Sequence, residues 1–385
     1  MTERLYYHDS YIREFEAQVV EVNGAIAYLD RTAFYPTSGG QPFDLGALGQ
    51  ARVDEVIDQD GRIAHKLDRP IDKGSITGRI DWGRRFDHMQ QHTGQHLLSA
   101  VFEEIFGIPT LSFHMGAEVS TIELGTPSLD PAQIVAIELR ANELIAENRD
   151  VHVTFEEAAE GLRKASEREG TLRIVSIDKL DRSACGGTHV KRTGEIGSIL
   201  TRKMDKVRGN IRIEFVCGLR AVARSRAEFE ALNAVARAYS CALDEAPKMA
   251  AANVERVADL DKTRRKMAGE LATFEGQALY AQTPADANGI RRATRRGPIT
   301  DETRVFANAF TSAGKAMLLH LSDDPPSFLL AGSKDSGLNA GSLVKEAIAA
   351  VGGRGGGSPQ SAQGSAPSRE ALAQVEARIL EKWLS

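Results

Sequence analysis

The sequence is poor in cysteine, in net positive charge and in long apolar runs. Three cysteines in 385 residues are too few for a disulfide framework, so a functional cysteine is expected to be reduced. The net charge of −5 excludes a globally basic nucleic-acid-binding protein, and any nucleic-acid contact must come from local patches. No apolar run is long enough to cross a bilayer, and the first residues lack a signal-peptide pattern. We therefore expect a cytoplasmic protein.

The remaining composition is typical of an ordinary globular protein, and the length allows two or three domains. The order of strand-like and helix-like segments along the chain predicts an α+β fold. Residues 1–85 are predicted to form a small β-barrel or sandwich, of which we favour the barrel. Asn23-Gly24 and Asp60-Gly61 each separate two strand-like segments and predict two hairpins. Between the hairpins lies a segment rich in glycine and proline, residues 34–46, which is typical of a surface loop.

From Asp87 onward the apolar residues recur at helical spacing, and Gly107 ends the pattern. Asp130-Pro131 predicts the start of a second helix. Strands are expected over 151–155, 171–178 and 210–216, with a helix over 156–169, so that residues 86–218 form an α+β domain.

The last third of the sequence divides into two parts. Residues 219–280 are predicted to be a helical spacer, and residues 281–385 a small α/β domain. Within that domain we expect strands over 304–310 and 327–333, a helix over 343–351 and a C-terminal helix.

Two short segments carry side chains that bind metals. His88, His92 and His96 lie four residues apart on the predicted helix, so neighbours share one face. Cys185 and His189 flank Gly186 and Gly187, which let a loop bend tightly. Two histidines from a helix with a cysteine and a histidine from a loop suit a tetrahedral Zn²⁺ site. Whether His88 belongs to the site, to its surroundings or to the surface stays open.

Two other interpretations of the same residues stay open at this point. Cys185 could be a nucleophile with a histidine base, although no third orienting residue is evident. The zinc could be purely structural, although such sites usually contain more cysteine. An exchangeable ligand position, which lowers the pKa of bound water, is what separates a catalytic site from a structural one.

These segments also resemble a known family. HTGQHLL (92–98) and CGGTHV (185–190) resemble the two motifs of the alanyl-tRNA synthetase editing domain. Residues 34–46 resemble the glycine-rich motif of the domain that precedes the editing domain, and residues 352–364 resemble the glycine-rich signature of the C-terminal DHHA1-like domain. The chain therefore resembles the free-standing editing proteins of the AlaX group, long form. The resemblance implies one Zn²⁺ per chain and the hydrolysis of mischarged tRNA(Ala), chiefly Ser-tRNA(Ala), with Gly-tRNA(Ala) as a second substrate. The ligands it implies are His92, His96, Cys185 and His189.

Further site residues are expected around this core. His114 could orient water or the ribose, or be an ordinary half-buried histidine, and the ligand residues His92 and His96 are the other catalytic candidates. Basic segments are candidates for holding tRNA phosphates, and the C-terminal region for tRNA binding and homodimer formation. The substrate and tRNA candidates are Ser38, Gly39, Gly40, Arg202, Lys203, Arg208, Arg291, Arg292 and Arg354.

Two functions of other classes compete with the hydrolase. A non-catalytic, zinc-stabilised tRNA-binding protein would bind tRNA without turnover and unfold without zinc. A zinc or thiol peptidase would act on peptides without tRNA. HExxH is absent because Thr93 follows His92, so the peptidase is the weaker of the two.

Overall fold

The computed structural model describes residues 1–157, 160–164 and 170–384. The chain divides into two compact units, residues 1–235 and 236–385. Both units combine helices with sheets, so the α+β class predicted from the sequence is confirmed. Within the described ranges, no helix has the length and apolarity needed to cross a membrane. The division into four domains at residues 85, 218 and 280 stays a prediction.

The first unit begins with short strands joined by tight turns. Six of them close into a barrel in the order β2-β3-β7-β6-β5-β8. Gly24, Asp60 and Gly61 have positive φ, so the two predicted hairpin turns are present between β2 and β3 and between β6 and β7. The strands are β1 (Glu3–Arg4), β2 (Glu14–Asn23), β3 (Ile26–Leu29), β4 (Arg31–Thr32), β5 (Gly46–Leu48), β6 (Ala51–Gln59), β7 (Arg62–Leu67) and β8 (Gly74–Ile80).

The rest of the first unit packs two antiparallel sheets against two helices around one apolar core. One sheet has the order β14-β15-β10-β9 and the other β11-β12-β13. The elements are α1 (Trp82–Phe106), β9 (Thr110–Met115), β10 (Ser120–Leu124), α2 (Pro131–Ala146), β11 (Val151–Glu156), β12 (Leu172–Ile177), β13 (Asp181–Ala184), β14 (Ile199–Val207), β15 (Asn210–Cys217) and α3 (Gly218–Tyr239).

The long helix α1 carries the histidines and begins earlier than the sequence suggested. Asp81 caps its start by accepting from the backbone N–H of Arg84 at 3.2 Å, so the predicted start at Asp87 was wrong by more than one turn. Apolar periodicity begins late because the first turns bury polar side chains, including Arg85. The end is as predicted, with Gly107 in the left-handed conformation.

Other local predictions for this unit have mixed outcomes. Asp130 caps α2 and Pro131 opens it, as predicted, and the three predicted strands correspond to β11, β12 and β15. The helix expected over 156–169 falls partly on residues 158–159 and 165–169, which lie outside the described residues. Of its remainder, Glu156 belongs to β11 and residues 160–164 are not helical.

The second unit is built on a five-stranded sheet of order β16-β17-β18-β20-β19. Residues 304–310 were predicted as a strand and are helical: Thr300 caps α5, which buries Phe306, Ala307 and Phe310 at helical spacing. The glycine-rich segment near the C-terminus contains the hairpin of β19 and β20, which spans residues 354–365. The elements are α4 (Ala246–Gln282), β16 (Arg291–Arg296), α5 (Asp301–Thr311), β17 (Ala316–Asp323), β18 (Pro326–Gly332), α6 (Ala340–Ala349), β19 (Arg354–Gly357), β20 (Ser361–Ser365) and α7 (Arg369–Leu384).

A buried ion pair fixes α1 to the barrel. Arg85 and Asp44 are both fully buried, and the guanidinium donates to both carboxylate oxygens at 2.5–3.1 Å. Arg85 also donates to the carbonyls of Ser10 and Ala33, and Asp44 accepts from the backbone N–H of Tyr35 at 2.6 Å. Since every charged atom has a partner, the pair holds the glycine-rich loop against the helix.

Removal of one residue of this buried ion pair should therefore destabilise the fold far more than removal of one residue of an exposed ion pair. We expect Asp44→Ala to lower the free energy of unfolding by about 3–5 kcal/mol, because it leaves a buried guanidinium unpaired. Glu14→Ala, which breaks the exposed pair with Arg79, is the control and should change it little. Urea denaturation of both variants measures the difference, and equal stabilities would contradict the role given to Asp44.

Candidate metal centre

Four metal-binding side chains converge from two distant segments. His92 and His96 lie one turn apart on α1, and Cys185 and His189 come from the loop after β13. Their ligand atoms all lie within 4.8 Å of one another. The Cys185 Sγ atom lies 3.5 Å from Nε2 of His92 and 3.3 Å from Nε2 of His189. The two segments therefore present three imidazoles and one thiol to a common point.

Contacts on the far side of each ring orient the imidazoles. Nδ1 of His92 donates to Oε1 of Gln41 at 2.8 Å, and Nδ1 of His96 donates to Oδ2 of Asp181 at 2.9 Å. Nδ1 of His189 lies 3.2 Å from the Thr93 hydroxyl. With each Nδ1 engaged, the three Nε2 atoms are left for a common ligand. This arrangement of outer partners is typical of histidines that bind a metal.

The Gln41 amide connects the barrel loop to both metal-binding segments. Its Oε1 accepts from His92 and from the backbone N–H of Thr188 at 3.1 Å, and its Nε2 donates to the Thr188 hydroxyl at 2.8 Å. Gln41 is fully buried. The loop over 34–46 is therefore part of the wall of the site.

The charges of the cluster favour the metal-binding form at Cys185 and His189 and the protonated form at His96. Burial opposes ionisation of the Cys185 thiol, but the adjacent His92 and His189 lower its pKa well below the ordinary value. Burial lowers the pKa of His189 to about 3, which keeps this ring neutral. For His96 burial acts in the same direction, but hydrogen bonds to Asp181 and Cys185 outweigh it and raise its pKa to about 9. A thiolate and neutral imidazoles are the species that bind Zn²⁺, so binding of the ion requires loss of the proton that Asp181 and Cys185 stabilise on His96.

The two glycines of the cysteine loop have different surroundings. A Cβ atom on Gly187 would lie 2.2 Å from Cε1 of His92 and 3.0 Å from Oε1 of Gln41. A Cβ atom on Gly186 would meet nothing closer than the Tyr7 hydroxyl at 3.5 Å, an ordinary contact. Only Gly187 is therefore required for the close approach of the loop to α1.

A cavity of about 800 Å³ lies beside the cluster and is lined by His92, His96 and Cys185. His189 lines a separate, smaller cavity. The large cavity combines aromatic rings and cations with the backbone of the glycine-rich loop. Its other walls include Arg4, Tyr6, Tyr7, Tyr35, Ser38, Gly39, Gln95, Thr110, Ser112, Phe113, Phe155, Arg163 and Arg173.

The other predicted site residues lie at different distances from this cavity. Ser38 and Gly39 line it, and Gly40 packs against Phe113, where a Cβ atom would lie 2.6 Å from the carbonyl oxygen. His114 is exposed on β9 and is not among the residues that line the cavity, and its role stays a prediction. His88 is buried rather than exposed and does not belong to the four-residue cluster.

Most of the basic residues predicted to hold tRNA have partners within the chain. Arg202 pairs with Glu228, Lys203 with Asp205 at 2.7 Å and Arg292 with Asp286. Arg291 donates to the carbonyl of Thr283. Arg208 lies in the turn between β14 and β15, and Arg354 begins β19. Their contact with RNA stays a prediction, as does self-association through the C-terminal region.

Sequence reasoning missed Gln41, Asp181 and Arg173. Gln41 stands in the glycine-rich segment, where only the glycines and Ser38 drew attention. Asp181 lies four residues before Cys185, a spacing at which a carboxylate beside a metal-binding segment was a usable signal. Arg173 lies within a predicted strand and gave no signal.

Comparison with known proteins agrees with this geometry. The family model described as the threonyl and alanyl tRNA synthetase second additional domain matches residues 172–214, which include Cys185 and His189. The DHHA1 domain model matches residues 296–384. The alanyl-tRNA editing protein AlaX-L of Pyrococcus horikoshii is 32% identical over 391 residues, which cover 94% of either chain. The chain belongs to the family of alanyl-tRNA editing proteins.

Other members of the family support the assignment to the long form. Alanyl-tRNA editing protein Aarsd1 of Mus musculus is 28% identical over 98% of this chain and 97% of its own. Alanyl-tRNA editing protein AlaX-M of Methanosarcina mazei is 36% identical but covers 56% of this chain and 96% of its own. Since the AlaX-L match spans nearly both chains, the resemblance to the long form is confirmed.

The outer hydrogen bond to His96 should tune the affinity for metal. We expect Asp181→Asn to raise the dissociation constant for Zn²⁺ about 10- to 100-fold, because the amide is a weaker acceptor for the Nδ1 proton. Competition with a chromogenic chelator measures this constant. Asp178→Asn, an exposed carboxylate on the preceding turn, is the control. An unchanged constant in Asp181→Asn would show that the hydrogen bond does not act on the metal.

The two glycines of the loop provide a matched pair of substitutions. We expect Gly187→Ala to displace His92 or the loop and to reduce the bound zinc per chain, because the added methyl overlaps the imidazole. Gly186→Ala should keep its zinc, since its methyl has room. Metal analysis by mass spectrometry compares the two purified variants, and equal zinc contents would contradict the packing described here.

Proposed function

We propose that this protein hydrolyses the ester bond of mischarged tRNA(Ala), chiefly seryl-tRNA(Ala), with glycyl-tRNA(Ala) as a second substrate. The observation that carries the proposal is the convergence of His92, His96, Cys185 and His189 beside a large cavity. The tRNA of the proposal comes from the relatives, whose names describe alanyl-tRNA editing, and the amino acids come from the chemistry of an alanine pocket, which rejects serine and glycine least.

The donor set supports zinc as the metal of this site. Three imidazoles and a thiolate are borderline-soft ligands, and their outer hydrogen bonds leave the Nε2 atoms available. A bound Zn²⁺ would act as a Lewis acid, polarising an ester carbonyl or making water more acidic. The chain itself holds the rings in place through Gln41, Asp181 and Thr93.

The cavity supports an aminoacyl ester as the ligand. Its volume of about 800 Å³ is within the range of pockets that enclose a ligand of nucleoside size. Ser38, Thr110 and Ser112 are polar residues that line the cavity, and Gly39 lines it beside Ser38. Polar groups at fixed positions can distinguish an amino acid that carries a hydroxyl from one that does not.

A physical need explains such an enzyme. A synthetase pocket made for alanine cannot strongly reject serine, which adds one hydroxyl, or glycine, which lacks one methyl. Discrimination of this size is worth about 1–3 kcal/mol, so a second site that hydrolyses the wrong product improves accuracy. We infer that this chain provides that second site.

The competing functions differ in what the site must do. A purely structural zinc needs no access, whereas three of the four candidate ligands line the cavity here. A thiol nucleophile would use the low pKa of Cys185 and the neighbouring His92, and it would work without metal. A tRNA-binding protein without turnover would retain the cavity but release no amino acid.

Deacylation assays separate these possibilities. We expect Cys185→Ala to reduce the rate of seryl-tRNA(Ala) hydrolysis about 100-fold or more, because loss of a ligand removes several kcal/mol of charge stabilisation. Cys241→Ala, outside the cluster, should retain the wild-type rate. Chelation of zinc should also abolish hydrolysis.

Two results would contradict the proposal. Equal rates in wild type and Cys185→Ala would exclude the cluster as the active site. Full activity after the metal has been removed would favour the thiol nucleophile instead.

A further inference from the structure

One cation on the cavity wall has a donor without a partner. Arg173 lies on β12 and is 7% exposed, and it lines the same cavity as His92, His96 and Cys185. Its Nε donates to the carbonyl of Tyr7 at 2.9 Å, and its Nη1 to the carbonyl of Cys185 at 2.6 Å. Its buried Nη2 has no hydrogen-bond partner among the described residues.

Within the described part of the chain, Arg173 also lacks the carboxylate partner that the other two guanidinium groups of the cavity have. Arg4 pairs with Asp58 at 2.7 Å, and Arg163 pairs with Asp181 at 2.7 Å. No salt bridge joins Arg173 to a carboxylate in the ranges that the structure describes. A buried guanidinium without a carboxylate partner is costly, and in this chain the neighbouring Cys185 thiolate offsets part of that cost. An anionic ligand at Nη2 would supply the hydrogen-bonded partner that the chain does not.

The position of Arg173 determines which part of a ligand it can reach. Its bond to the Cys185 carbonyl and the bond from the Cys185 N–H to its own carbonyl at 3.1 Å place it beside the metal-binding loop. The guanidinium also lies over the Tyr7 ring at 5.5 Å, so its plane is held by two carbonyls and one ring. A donor fixed in this way is organised to bind an anionic oxygen before the ligand arrives.

We propose that Arg173 is a substrate-binding residue whose Nη2 donates to an anionic oxygen of the aminoacylated 3′-terminal nucleotide. This inference rests on the proposed function. The acceptor is a 5′-phosphate oxygen of that nucleotide, and the carbonyl oxygen of its aminoacyl group is the alternative that the test distinguishes. Both are oxygen acceptors that a guanidinium binds strongly.

The test uses two probes that cannot be hydrolysed, so it does not depend on turnover. They are 3′-seryl-amino-3′-deoxyadenosine with a 5′-phosphate and the same compound without it. Calorimetry measures the binding of each to the full chain loaded with zinc. We expect Arg173→Gln to bind the phosphate-bearing probe about 10- to 100-fold more weakly, the value of a hydrogen bond to a charged group.

The two probes identify the acceptor. A loss confined to the phosphate-bearing probe assigns the phosphate, and an equal loss with both probes assigns the carbonyl end. Arg4→Gln is the matched comparison, because Arg4 lies over the same Tyr7 ring but already has Asp58 as its partner. Arg4→Gln should lose less affinity for the probes than Arg173→Gln does.

Arg173 also holds two carbonyls, so a structural role must be distinguished from binding. Zinc content and melting temperature are measured for every variant, and Arg173→Lys, which keeps the charge, should bind the probes better than Arg173→Gln. If Arg173→Gln loses its zinc, NMR of the wild-type protein replaces calorimetry on that variant. The Nη resonances of Arg173 are then assigned by their absence from the spectrum of Arg173→Lys. These resonances should shift when a probe binds.

Three results would overturn or redirect the proposal. Wild-type affinity for both probes in a zinc-loaded Arg173→Gln variant overturns it, and so do Nη resonances that do not move. If the wild type binds neither probe and deacylates no tRNA, the proposed function itself fails. If the wild type and Arg173→Gln bind both probes with equal affinity and the wild type deacylates tRNA, the proposed function stands without this residue.

Discussion

The candidate site depends on one buried amide that joins three separate segments. Gln41 accepts from His92 on α1 and makes two hydrogen bonds with Thr188 in the cysteine loop. Because an amide offers both donors and acceptors, it can fix a ring and a backbone at the same time. Without Gln41, the barrel loop would lose its hydrogen bonds to both metal-binding segments. The ion pair of Arg85 and Asp44 holds the loop that carries Gln41.

The electrostatic organisation of the cavity follows from burial. Groups that carry charge there are compensated: the Cys185 thiolate by neighbouring imidazoles, and Asp181 by His96 and Arg163. Arg173 has no carboxylate partner among the described residues, and two backbone carbonyls hold its guanidinium. A site built to bind and release a charged ester can leave one such charge for its ligand, since complete internal compensation would weaken binding.

The sequence predicted correctly those turns and helix ends that depend on residues only a few positions apart. The hairpins at Asn23-Gly24 and Asp60-Gly61 need positive φ, and Gly107 ends α1, so these follow from backbone sterics alone. The sequence predictions were wrong where burial determines the structure. The predicted start of α1 is too late because its first turns bury polar side chains. Residues 304–310 were predicted to form a strand, but Phe306 and Phe310 lie four residues apart and are buried on one face of α5. His88 shows the same limit, since its burial depends on packing against other segments.

The sequence by itself determined the residue types of the site and their grouping into two short segments. His92 and His96 share a helix face, and Cys185 and His189 share a tight loop, because backbone geometry over four residues requires it. Only the tertiary structure decided that the two segments meet, that Gln41 and Asp181 orient the rings, and that Arg173 faces the cavity. Those facts join residues far apart in the chain, and spacing carries no information about contacts that packing alone creates.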